Sequence, residues 1–135
     1  MKENFPDQIY GLSAWKSVEL TKDKGWIYNL DDNEKIEIET AVELIRKRKL
    51  KIYEFGIDDF PLKKFAVRLD AILDQVENGR GCALLRGLDI ASYDEDTLKL
   101  IYWGLGVHIG TPISQNAQGQ LIGHVRDRGG NYYSH

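Results

Sequence analysis

Gly81-Cys82-Ala83-Leu84-Leu85-Arg86-Gly87 is the stretch on which the reading of the fold turns. It is an apolar run closed at each end by glycine and too short for a helix, so it reads as a buried strand. Cys82 reads as a small apolar residue inside that strand rather than as a nucleophile. Helical patterns flank the run on both sides. Upstream, Phe65, Leu69, Ile72, Leu73 and Val76 recur at helical spacing and predict a helix over residues 62–78, with Gly79 as its C′ residue. Downstream, Ser92-Tyr93-Asp94-Glu95 has the form of a capping box. The helix it opens carries Leu98, Ile101, Tyr102 and Leu105 on one face and runs out into Gly104, Gly106 and Gly110, where Pro112 forbids continuation.

Farther out the same alternation persists. Trp26-Ile27-Tyr28-Asn29-Leu30 is a short β-prone run. Asp31-Asp32-Asn33-Glu34 supplies capping side chains and first-turn acids, and Ile38, Ala41, Val42 and Ile45 follow at helical spacing. Arg46, Lys47, Arg48 and Lys49 close this helix, an order that complements its macrodipole. Residues 52–61 read as a connection, and the first 25 residues read as irregular. After the third helix, residues 112–119 read as a loop. Leu121, Gly123 and Val125 alternate with Ile122, His124 and Arg126, which predicts another strand.

With 135 residues, the chain is expected to form a single domain, 1–135. A net charge of −3 gives no reason to expect nucleic acid or an anionic membrane as partner. The basic run 46–49 reads as a solvated helix end, because the first half of the same helix is acidic. One cysteine allows no internal disulfide, as in a reducing compartment. Residues 1–10 are polar and lack the apolar core of a secretory signal. No apolar run approaches the roughly 18 residues a membrane span needs. Together these make a soluble, cytoplasmic protein the expectation.

The chemistry-bearing residues are sparse. His108, His124 and His135 are assigned to a loop, a strand and the terminus. An iron oxygenase site needs two histidines and a carboxylate on one face of the metal. His124-Val125-Arg126-Asp127 is one residue longer than the His-x-Asp/Glu that often supplies two of these ligands. On a strand, positions i and i+3 face opposite ways, so His124 reads as an ordinary strand residue. The glycines at 104, 106 and 110 close a helix, whereas a phosphate-cradling loop opens one, so they read as helix-ending turns. Pro112-Ile113-Ser114-Gln115-Asn116-Ala117-Gln118-Gly119 gathers amides and a hydroxyl that either orient a polar ligand or make turns. There is no Ser/His/Asp set, CxxC pair or P-loop.

The order of these pieces carries a resemblance. The Trp26 run precedes an acidic helix, a second helix leads into Gly81 to Leu88, and a third runs into Trp103-Gly104-Leu105-Gly106-Val107-His108-Ile109-Gly110-Thr111-Pro112. The loop 114–119 and the run 121–127 follow. From about Trp15 onward this resembles the N-terminal part of the taurine dioxygenase-like (TauD/TfdA) proteins, iron(II)- and 2-oxoglutarate-dependent oxygenases. The resemblance implies an α+β chain: the N-terminal portion of a double-stranded β-helix, or jelly-roll, with about three helices packed on a few short strands and the roll incomplete. The family's His-x-Asp/Glu motif, distant second histidine and 2-oxoglutarate-binding arginine have no counterpart here, so no residue is assigned to metal or to catalysis. Fe(II) and 2-oxoglutarate are the implied cofactors, neither expected to bind this chain alone. By position, Gln115 and Asn116 are expected near the mouth of the site as substrate-side residues. A small-molecule substrate is expected only for the completed domain. Unpaired strand edges and apolar helix faces predict self-association. The competing expectation is a small α/β binding or assembly module with no enzymatic role.

Overall fold

The computed structural model describes residues 10–125, in the order α1 (Ser17–Lys22), β1 (Ile27–Asn29), α2 (Asp32–Lys47), α3 (Lys64–Asn78), β2 (Leu84–Arg86) and α4 (Glu95–Ile109). Single 3₁₀ turns at Ile57–Asp59 and Ile90–Ser92 punctuate the connections. The two strands pair in parallel, Ile27 opposite Leu84, Tyr28 opposite Leu85 and Asn29 opposite Arg86. Parallel neighbours require a long crossover, and α2 and α3 provide it.

Helix α2 starts as its sequence dictates. The Asp31 carboxylate accepts the Glu34 backbone N–H at 2.8 Å, and that bond holds the Asp31 carboxyl below its usual range. Glu34 turns back toward the Asp31 N–H, completing a capping box. Glu34 is buried, and Arg68 of α3 pairs with it. Arg68 also donates to the Asn29 carbonyl at 3.0 Å, so one guanidinium joins β1, α2 and α3. Helix α3 has no side-chain cap of its own. Glu37 of α2 serves instead, its carboxylate accepting the Lys64 and Phe65 N–H groups at 3.1 and 3.0 Å.

The core lies where the apolar stripes of three helices meet. Ile38, Ala41, Val42 and Ile45 of α2, Phe65 and Leu69 of α3, and Ile101 and Trp103 of α4 close around Phe55, Phe60 and Leu62 from the α2–α3 connection. Phe60, Phe65, Ile38 and Ile45 are the largest fully buried side chains. Each contributes roughly 1.5–3 kcal/mol of hydrophobic stabilisation.

Several expectations need correction. Residues 17–22 form a short helix, not irregular chain. Cys82 lies before β2, not in it, and is half-buried; Leu84 and Leu85 are half-buried as well, and Arg86 is exposed. Helix α4 is capped by Asp94, whose carboxylate accepts the Thr97 N–H at 2.8 Å, while the Ser92 hydroxyl bonds the Asp89 carbonyl. The helix start predicted at Ser92 is therefore two residues later, with a single side-chain cap from Asp94, because the 3₁₀ turn consumes that serine. Gly79 ends α3 with φ −114°, and the left-handed residue that redirects the chain is Gly81, at φ +81°. Gly104 and Gly106 sit inside α4, which continues to Ile109. Residues 121–125 form no strand, and the rest of that predicted run, Arg126 and Asp127, lies outside the described residues, as does His135. The described elements are mixed helix and strand, and they do not display a jelly-roll. No helix among them is long and apolar enough to cross a membrane.

Candidate functional site

Helix α4 organises a region where polar loop groups meet an open cavity lined largely by apolar side chains. Its first turn is fixed by Asp94, and the Thr97 hydroxyl and N–H, with Arg46 nearby, hold the Asp94 carboxyl below the usual carboxylate range. One side of α4 faces the core. Trp103 packs edge-on against Tyr53, with ring centroids 4.9 Å apart, and donates its indole N–H to the Phe55 carbonyl at 3.0 Å. Gly104 lies directly on Phe60: a Cβ there would stand 2.5 Å from the ring. One turn later His108 bonds the Phe60 carbonyl at 2.6 Å. A carbonyl only accepts, so Nε2 carries the proton.

The other side of α4 has no equivalent cover among the described residues. Tyr102, Leu105, Val107 and Ile109 line an open cavity of about 1000 Å³ together with Leu85 of β2 and residues of the segment that follows α4. Of the predicted face Leu98, Ile101, Tyr102 and Leu105, Ile101 is buried and Leu98 and Leu105 are half-buried, while Tyr102 is 68% exposed. The buried residues of α4 are Thr97, Ile101, Trp103 and Gly104, and His108, half-buried, continues the line of Thr97, Ile101 and Gly104. A second apolar recess of about 600 Å³, shared by Leu98, Ile101, Tyr102 and Leu105, continues along the helix toward Leu88 and Ile90.

Gln115 and Asn116 are both brought to the wall of the larger cavity. Their amides are engaged within the loop. The Asn116 side-chain oxygen accepts the N–H groups of Gln118 and Gln120, each at 3.1 Å, and its amide nitrogen donates to the Gln120 side chain. The Asn116 carbonyl accepts the Gly119 N–H at 3.0 Å, and the Gln115 N–H reaches the Gln120 carbonyl at 2.7 Å. This is the self-bonding that makes asparagine a turn former. The Gln115 side chain donates to the Ile113 carbonyl at 3.0 Å.

The histidines are not brought together. His108 is in the last turn of α4, not in a loop. His124 lies at the opposite end, 3.9 Å from the Glu95 carboxylate, which Lys99 also approaches at 3.2 Å. His108 is thirteen positions along α4 from Glu95, about 20 Å of axial rise, so one ion cannot join them. Among the described residues no three His, Cys, Asp or Glu side chains converge as a metal site requires. Those residues therefore do not fit an iron centre.

No protein-family model matches the sequence. The chain is similar to a protein named FR-33289 synthase from Streptomyces rubellomurinus (strain ATCC 31215), with 27% identity over 129 residues. That match takes in 96% of this chain and 38% of the synthase, so the chain spans well under half the length of its relative. The matched region necessarily includes the whole of α4 and most of the loop that lines its cavity.

The sequence pattern does not mark Trp103 or Phe60 as core residues, and it reads Gly104 as a helix end. A signal for Gly104 is present, because positions 97, 101, 104 and 108 recur at i, i+4, i+7 and i+11. Because threonine, glycine and histidine occupy three of them, the stripe does not read as apolar.

Proposed function

We propose that this chain is the front portion of an iron(II)- and 2-oxoglutarate-dependent oxygenase domain. It would form the helical layer and first strands of a jelly-roll whose later strands carry the iron ligands. In the complete domain, oxidation of a small organic substrate is coupled to decarboxylation of 2-oxoglutarate. The observation that carries the reading is the extent of the similarity: it runs through 96% of this chain and only 38% of a longer synthase. It is joined by the ordered motifs from Trp26 to Asp127.

Helix α4 supports the same reading physically. A helix that is apolar all round belongs between two layers. One side of α4 packs on Phe60 and the α2 core, while the side bearing Tyr102, Leu105 and Ile109 is left to the open cavity. In the complete domain that cavity becomes the wall of the substrate site. Gln115 and Asn116 sit at its mouth, with Asn116 shaping the turn and Gln115 facing substrate.

No residue of 10–125 is assigned to iron, so the chain by itself is an inactive part of an oxidoreductase. The assay is succinate formation from 2-oxoglutarate by the purified, iron-loaded chain, with isothermal titration of 2-oxoglutarate alongside. Neither turnover nor binding is expected. Succinate release by the chain alone contradicts the assignment of the reactive centre to sequence beyond it.

A further inference from the structure

We draw no further inference here: the strongest candidate, the open apolar cavity beside α4 with the β2 edge at Leu85, belongs to the site already described, and nothing in the structure shows what covers it.

Discussion

Gly104→Ala is the substitution for which helix propensity and packing predict opposite signs. In an exposed helix interior, alanine is more favourable than glycine by about 1 kcal/mol. At position 104 the added methyl would stand 2.5 to 2.6 Å from three carbons of the Phe60 ring, closer than any real contact. Phe60 cannot retreat easily. It is fully buried, stacked on Phe55 at 6.0 Å and bordered by the His108 ring at 6.5 Å. Overpacking of this kind costs up to about 3 kcal/mol, so the net effect is a loss of about 2 kcal/mol after the propensity gain. Gly106→Ala, two residues along the same helix, is the internal control, because a Cβ there meets nothing within 4 Å. It is expected to stabilise by about 0.5–1 kcal/mol. Urea unfolding followed by circular dichroism reads both, and the 104 variant should also melt roughly 8 °C lower. Repeating Gly104→Ala in a Phe60→Leu background should recover at least about 0.5 kcal/mol, the sign of a direct contact. If Gly104→Ala is as stable as the parent, or gains stability as Gly106→Ala does, the packing of α4 on Phe60 is wrong.

Three other perturbations probe different parts of the account. Arg68→Met leaves the buried Glu34 carboxylate without its cation. Full burial would make that cost about 3–5 kcal/mol, and the partial exposure of Arg68 reduces it to about 2 kcal/mol, read by urea unfolding at neutral pH. Tyr93 donates to Glu39 at 2.6 Å, and that bond, followed by burial, pushes its phenol up to about 12 from 10.0. The raised value means the bond stabilises the fold fully below pH 10 and is lost as pH rises through 12. An ultraviolet titration should show one tyrosine ionising near 12, and Glu39→Ala should bring it back toward 10. Asn116→Ala breaks two side-chain acceptor bonds of the 114–120 turn and should cost about 1 kcal/mol, whereas Gln115→Ala should change stability by less than about 0.5 kcal/mol.

Legibility followed the number of faces an element buries. Helices α2 and α3 each bury one stripe, so Ile38 to Ile45 and Phe65 to Ile72 could be read from spacing, and Asp31 marked a true start. Helix α4 is apolar on both sides, so periodicity could not choose between Tyr102 and Trp103, and the glycine that permits the Phe60 contact looked like a terminator. Helix α1 buries none of its residues, so no stripe announced it. The parallel pairing of β1 and β2 was not legible either, because three-residue strands carry no directional signal. At the candidate site, the loop was recognisable from its amides. Which amides bond within the turn depends on backbone geometry around Gly119 and Gln120 that composition does not encode.

The central claim is that the iron ligands belong to sequence following these elements, and reading the coding DNA past the codon for His135 tests it most directly. The account predicts an open frame with an alternating strand bearing His-x-Asp or His-x-Glu, and a second histidine farther on. A stop codon, or a continuing frame without those ligands, contradicts it.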